Sequence, residues 1–443
     1  MSRSLKVNNA NSGKAILEKE LYSYETIEKL AEEYGSSFYI MNVNTLIENY
    51  KQMYHAFKSR YDRFIIGYSY KTNYIPLLCQ EMYKLGAYAE VVSRLEYDFA
   101  IKIGVDPKKI IFNGPLKSQD DINYALKNES IINLDSFYEI DFVKSYAFNH
   151  PNSIVKIGLR VNFDITEDSI TQLADGFEMS RFGICEENGD LKRAIDLLES
   201  VTNIKIVGLH GHFSTTGRRI ESYKRITQEL CHFVKKYKLN HIEYIDIGGG
   251  ISGNVPKSLR EYSPTFDEYG EAICAVMNHE FSHYANPPAL ILEPGISMVG
   301  NVFEFVSKVV GIKNIKENCF VLVDGSVHNI KPTFNKKKLP INFLRQHHEE
   351  KQVTENFHIV GYTCLEKDYL IYDAVAELPK IGDYILFQNV GAYTIVYNPP
   401  FIKERPAIIG IDNQKIFEVR KKETIKQFFN EEIYCFGKQE IRL

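Results

Sequence analysis

The sequence predicts a (β/α)8 barrel of TIM type joined to an all-β domain. Two observations carry that prediction. Between residues 63 and 293, short β-branched and aliphatic runs alternate with longer amphipathic stretches, the rhythm of strand and helix in turn. After about residue 300 the runs follow one another across turns, with no clear helical pattern between them. A chain of 443 residues has room for two or three domains, and a barrel takes the larger share.

The strand candidates come in order: RFIIGYS (63–69), AYAEVV (87–92), KIIF (109–112), SIINL (130–134), IVKIGLRV (154–161), IKIVGLH (204–210), IEYIDI (242–247) and PALILE (288–293). Helical patterns fill the gaps at 74–85, 94–104, 118–128, 136–148, 188–200, 220–238 and 265–284. Eight such units suit a closed barrel, with an open doubly wound sheet as the competitor. The barrel is expected over 36–298. VFEFVSKVVGI, CFVLVD, NFHIVGY, DYLIYDAV, DYILFQNV and PAIIGI build the second domain, 299–443, to which 1–35 are also assigned. SSFYIMN, at 36–42, reads as a strand able to pair with either part.

Composition narrows the function. Hydrophobic residues at 44% allow a sizeable core, and 53 basic against 57 acidic residues leave a net charge of −4. Such a balance offers no bulk attraction for nucleic acid or an anionic membrane. No window approaches the roughly 18 uninterrupted apolar residues of a membrane span, and the first 25 residues lack the apolar centre of a signal peptide. Seven scattered cysteines with no CxxC spacing argue against a disulfide framework or a zinc site, so a reducing, cytoplasmic setting is expected.

In a barrel the βα loops at the strand C-termini form one face, and reactive groups gather there. Each strand candidate delivers something to it: Lys71 after the first; Glu90 in the second; Asn113, Asp135, Arg160 and His210 to His212 at the next four; Gly248-Gly249-Gly250 after the seventh; and Glu293-Pro294-Gly295 after the eighth. Three glycines let backbone N–H groups approach an anion, although alone they also suit a tight turn. With no GK[ST] following, a single phosphate fits better than a nucleoside triphosphate. A strand-end lysine is expected to be partly desolvated and available for imine chemistry. Lysine, phosphate turn and strand-end carboxylate together point to pyridoxal 5'-phosphate, with Lys71 as imine partner and Glu293 on the ring nitrogen.

The stretches YSYKTN, AEVVSRLE, IIFNGPLKS, INLDS, LRVN, SRFGI, GLHGHFS, IDIGGGISG, EPG, GYTCLEKDYL and GAYT stand in an order and spacing that resemble the fold-type III pyridoxal-phosphate decarboxylases, the diaminopimelate, ornithine and arginine decarboxylase family, over nearly the whole chain. That resemblance implies an alanine-racemase-like barrel and a cofactor set of Lys71, Glu90, His212, Thr215, Gly248, Gly249, Gly250, Glu293, Gly295 and Tyr393. His212 would stack on the ring, and the glycines, Thr215 and Tyr393 would hold the phosphate. Cys364 in GYTCLEKD matches the family's proton-donating cysteine, supplied by the partner of a head-to-tail homodimer with shared active sites. Glu293, where alanine racemases place an arginine, favours decarboxylation over racemisation. Asp246 is read as orienting the glycine turn and Arg160 as supporting its neighbours.

Two departures bear on the substrate. Diaminopimelate decarboxylases read EPGR, whose arginine grips the distal carboxylate; this chain has Ile296 there, which cannot make a bidentate pair. The family also sets an acidic residue directly after the cysteine, whereas here Leu365 intervenes before Glu366 and Asp368. Glu366, Asp368 and Lys331 are the substrate candidates, with Asn335 a looser match. The expected reaction is loss of the α-carboxylate from a non-standard, acylated or carrier-bound amino acid, and the basic stretch 331–345 is a candidate contact for an acidic tail or a carrier protein. Decarboxylation of diaminopimelate, ornithine, lysine or arginine is the alternative, then racemisation; a non-catalytic regulator would be expected to lose Lys71.

Overall fold

The computed structural model describes residues 22–166, 173–174, 179–334, 338–346, 354–413 and 415–437. Two compact units divide the chain, one of Leu46–Gly300 and one of Met1–Thr45 with Asn301–Leu443.

The first unit is the barrel. Its strands are β2 (Phe64–Ser69), β3 (Tyr88–Val91), β4 (Ile110–Phe112), β5 (Ile131–Leu134), β6 (Val155–Asn162), β8 (Ile204–His210), β9 (Tyr244–Asp246) and β10 (Ala289–Leu292). They pair in parallel in that order. The ring closes because Leu290 of β10 registers with Phe64 of β2, and Asn133 of β5 with Gly158 of β6. An open sheet would leave two edges; here the eight strands pair all round. A short extra strand, β7 (Ile184–Cys185), lies along the end of β6.

The helices form where periodicity and capping agree. Helix Asp190–Glu199 buries Leu191, Ala194, Ile195 and Leu198, the single stripe of a 3.6-residue repeat. Ser118 with Asp121 and Thr265 with Glu268 make reciprocal capping boxes, satisfying first-turn amides. Inside the ring, the Tyr244 side chain occupies the space beside Gly158 and Gly208. A Cβ on Gly208 would lie 1.9 Å from that ring, so glycine in mid-strand is a steric requirement here.

In the second unit β1 (Phe38–Asn42) pairs antiparallel with β11 (Phe303–Ile315) and parallel with β17 (Ala407–Asp412). The sheet continues through β12 (Asn318–Val323), β14 (Thr354–Val360) and β15 (Tyr369–Glu377) on one side and β18 (Lys415–Arg420) on the other, while β16 (Tyr384–Phe387) joins β11 and β13 (Ile341–Leu344) joins β16. The strand at 36–42, placed in the barrel by the sequence boundary at 36, therefore belongs to this sheet. Its four consecutive buried residues, Phe38 to Met41, explain why: both faces are covered, and Ile27, Leu30 and Ala31 of helix Tyr24–Tyr34 share a core with Phe38 and Ile40. Residues 1–21 of the expected N-terminal segment lie outside the described residues.

Candidate active site

Lys71 sits in the helical turn Tyr70–Thr72 directly after β2. Its Nζ donates to Ser69 Oγ at 2.7 Å and forms an ion pair with Glu90, whose side chain is 1% exposed on β3. Desolvation alone was expected at this lysine; a buried carboxylate and a hydroxyl hold its ammonium instead. Ser69 also donates to Glu90, so the three groups form one cluster.

Glu293 follows β10, nearly buried. Asn113 donates to both Glu293 and Glu90, the latter at 3.2 Å, and takes a 2.8 Å bond from Asn133, which accepts from Tyr244 at 2.7 Å. A polar relay thus runs from β9 through β5 and β4 to the carboxylates on β3 and after β10. His210 Nε2 lies 3.5 Å from Glu293, and the donor atoms of His210, Asp246 and Glu293 lie within 4.8 Å of one another. Two buried carboxyls this close do not both ionise. Burial raises Glu293, but His210 and Lys71 outweigh it and hold that carboxyl well below the usual range. Asp246 is pushed well above it by burial and by the Glu293 charge. Glu293 is the anion, and Asp246 keeps its proton.

His212 Nδ1 accepts from the Gly249 amide at 3.0 Å, which puts its proton on Nε2. Burial, with Arg160 and Lys71 nearby, lowers it to about 3, so the imidazole is neutral. Arg160 bonds Asp135 at 3.2 Å and the His212 carbonyl at 3.3 Å while stacking on Phe182, the supporting position expected of it.

Each glycine of the turn after β9 answers a different constraint. A Cβ on Gly248, at φ +67°, would meet His212 at 2.6 Å; on Gly249 it would lie 2.1 Å from the Glu293 carbonyl; on Gly250, at φ +95°, 2.8 Å from the Tyr223 hydroxyl. The Gly248 amide donates to Asp246 at 2.9 Å and the Gly249 amide to His212. Two of the three amides expected to meet a phosphate are therefore engaged, because the turn is sewn to its neighbours, and the Gly250 amide is the one left. Thr215 Oγ1 is 3.5 Å from Tyr223 OH. Gly295 packs against Thr72, and Thr72 Oγ1, Ser297 Oγ and His210 Nδ1 are buried with no hydrogen-bond partner among the described residues. Backbone too close for any Cβ, beside unsatisfied buried polar atoms, suits a polar, phosphate-bearing group.

In the second unit, Cys364 and Glu366 are exposed in the loop between β14 and β15. Asp368 is not: it is 3% exposed, accepting from the Val327 amide at 2.7 Å and from the Thr363 amide and hydroxyl at 2.9 and 2.6 Å. Its oxygens anchor the turn Val327–Ile330 and its own loop at Thr363, so this substrate candidate is buried and already hydrogen-bonded. Lys331 is also buried, and burial lowers it. Arg345 bonds the Glu377 carbonyl at 2.9 Å, so neither end of the 331–345 stretch is a free basic contact. Tyr393 stacks on Tyr397 with centroids 6.0 Å apart. Asn335 lies outside the described residues. Sequence reasoning did not single out Ser69, Asn133 or Tyr244; Ser69 and Asn133 stand inside the stretches YSYKTN and INLDS, the signal that could have found them, while Tyr244 lies just outside IDIGGGISG.

A closed barrel whose strand ends unite a lysine, an ionised buried carboxylate, a neutral imidazole and a glycine turn defines an enzyme of the class that holds a phosphorylated ring cofactor. Residues 44–300, more than half the chain, match the family described as pyridoxal-dependent decarboxylase, pyridoxal binding domain, and the protein belongs to that family. It is similar to the diaminopimelate decarboxylase of Methanocaldococcus jannaschii, 27% identical over 93% of this chain and 94% of that one, and to that of Aquifex aeolicus, 25% identical over 90% and 92%. The crystal structure of the M. jannaschii enzyme with L-lysine superposes with a TM-score of 0.83 at 26% identity, covering 92% and 94% of the two chains. The protein is thus a pyridoxal-phosphate-dependent carboxy-lyase acting on an amino acid. Among the described residues no helix is long and apolar enough to cross a membrane.

Proposed function

We propose that the enzyme removes the α-carboxylate of a non-standard amino acid, acylated or carrier-bound, whose distal end is not gripped as diaminopimelate is. One observation carries this reading. Ile296, half-buried directly after Glu293-Pro294-Gly295, presents an aliphatic side chain where the diaminopimelate decarboxylases place an arginine. An aliphatic side chain tolerates an uncharged or differently charged tail and offers nothing to a distal carboxylate.

When bound, pyridoxal 5'-phosphate supplies the electron sink for the charge left at Cα as CO2 departs. The chain's own residues do the rest. Lys71 offers its amine for the cofactor's carbonyl, and Glu90 with Ser69 holds the proton that amine must shed. Glu293, ionised and braced by Asn113, holds a proton on the ring nitrogen. His212, fixed by Gly249 and Arg160, covers one ring face. Gly250 and Thr215 would bind the phosphate, with Gly248, Gly249 and Gly295 allowing the close approach, and Tyr393 would serve the site of the partner subunit. Cys364, an exposed free thiol, is the candidate donor of the proton to Cα in the partner subunit of a homodimer, with Glu366 beside it to meet the substrate tail. Seven free thiols support a cytoplasmic setting.

The test is CO2 release over diaminopimelate, ornithine, lysine, arginine and acylated amino acids, free and carrier-bound. Preference for an acylated or carrier-bound substrate is expected; brisk turnover of meso-diaminopimelate overturns the reading. The names of its relatives over nine-tenths of the chain favour that second outcome, and Ile296 opposes it.

A further inference from the structure

The turn assigned to the cofactor phosphate is electrically neutral. With the Gly248 and Gly249 amides engaged, it offers the Gly250 amide and the Thr215 hydroxyl to a group carrying nearly two negative charges. Two arginines stand on the loops that form it. Arg260 Nη1 donates to the Gly217 carbonyl at 2.8 Å and to Ser252 Oγ at 3.1 Å. One guanidinium thereby ties the turn after β8, which carries Thr215, to the turn after β9, two residues beyond Gly250. Arg218 follows at φ +51°, and its carbonyl accepts from Tyr269 OH, which itself takes the Ser252 amide at 3.4 Å.

Neither arginine forms an ion pair among the described residues. Burial and the neighbouring Arg218 both push Arg260 below its ordinary value. A guanidinium with no carboxylate partner among the described residues is favourably placed to meet an anion at the same edge. Tyr223, whose hydroxyl lies 3.5 Å from both Thr215 Oγ1 and the Gly249 carbonyl, stands between the same two turns that Arg260 ties together.

We propose that Arg260 and Arg218 form the cationic edge of the cofactor-phosphate site, supplying the charge that the glycine turn lacks. The inference rests on the pyridoxal-phosphate reading of this site and adds two residues on which neither the family motifs nor composition draws attention. The position after Gly295 contributes no cation, since it holds Ile296; Arg218 and Arg260 stand on the loops after β8 and β9, whose other cations, Arg219 and Lys257, are more exposed.

Binding, with no turnover involved, tests it. Apoenzyme is titrated with pyridoxal phosphate and with pyridoxal, which differ by the phosphate alone, following the visible band of the lysine-bound cofactor. Arg260→Met and Arg218→Met are each expected to weaken pyridoxal phosphate by about tenfold, the loss of one charge-assisted contact, and to leave pyridoxal within twofold. Arg260→Lys should recover part of the loss, and inorganic phosphate should compete in the wild type more strongly than in Arg260→Met. Equal weakening of both ligands makes Arg260 a mere loop clamp and overturns the proposal, as does unchanged affinity for pyridoxal phosphate. A wild-type protein that takes up pyridoxal yet shows no preference for the phosphorylated form overturns it too. Failure of the wild type to bind either ligand refutes the cofactor reading itself, a distinguishable result.

Discussion

Gly249→Ala isolates the steric part of the cofactor cradle. An added Cβ would lie 2.1 Å from the Glu293 backbone carbonyl, about 1.3 Å short of the closest ordinary contact of 3.4 Å. The obstacle is main chain, anchored by the Glu293 amide to the Gly248 carbonyl at 2.8 Å, so it cannot swing aside as a side chain would. Overpacking of this kind costs about 1–3 kcal/mol. Relief would move the turn and Glu293 apart, displacing together the Gly250 amide proposed to meet the phosphate and the carboxylate proposed to meet the ring nitrogen. The expected result is at least about a tenfold loss in affinity for pyridoxal phosphate, since each 1.4 kcal/mol is tenfold, with a lowered thermal midpoint. Gly189→Ala is the control: its φ of +85° imposes strain of about 1 kcal/mol, but a Cβ there meets nothing within 4 Å, so cofactor affinity should not change. Wild-type affinity and midpoint in Gly249→Ala would refute the reasoning.

Other expectations follow from the buried charges. Asp246 keeps its proton, so Asp246→Asn, a neutral isostere able to accept from Gly248 and donate to Glu293, should retain cofactor binding and turnover within a few-fold while Asp246→Ala loses both; equal damage from the two contradicts the protonation assigned. Burial pushes Glu96 up to about 7 from 4.5. A raised folded-state pKa contributes stability that is full below about 4.5 and is lost as pH climbs through about 7. Glu96→Gln, which can still accept the Val92 amide, should therefore gain stability over wild type between pH 5 and 8 in urea titrations, and a constant difference argues otherwise. Lys117 and Glu139, both fully buried 3.0 Å apart, form an ion pair. Lys117→Met alone should cost about 3–5 kcal/mol by stranding a carboxylate, whereas Lys117→Met with Glu139→Leu should cost much less; similar losses in chemical denaturation would show the pair to be uncoupled.

Local sequence was enough for most of the scaffold. The eight barrel strands fall within two residues of the runs that predict them, because a buried parallel strand must be continuously apolar and turns must interrupt it. The helices follow for the same reason, with Ser and Thr caps marking where they begin. Lys71, Glu90, Glu293 and the glycine turn were legible because each stands at a strand end, and a barrel sends every strand end to one face. The strand at 38–42 was not: four apolar residues in a row say that both faces are covered, and pairing with residues more than 260 positions away decides by which sheet.

What the sequence by itself determined is the inventory at the barrel mouth and the order in which it is delivered. Tertiary structure decided how those groups divide the work. Asn113 and Glu293 are 180 residues apart, and only ring closure makes them partners. Asp246 and Glu293, carboxyls of similar intrinsic acidity, part into a neutral acid and an anion because His210 and Lys71 hold Glu293 low while burial and the Glu293 charge push Asp246 up. Asp368 accepts from an amide of a distant turn, Val327, and from one of its own loop, Thr363, a partnership that its place in the sequence does not announce. Periodicity and turn chemistry act over a few residues and survive in one dimension; hydrogen-bond ownership and proton placement depend on which distant groups share a few ångströms of low-dielectric space.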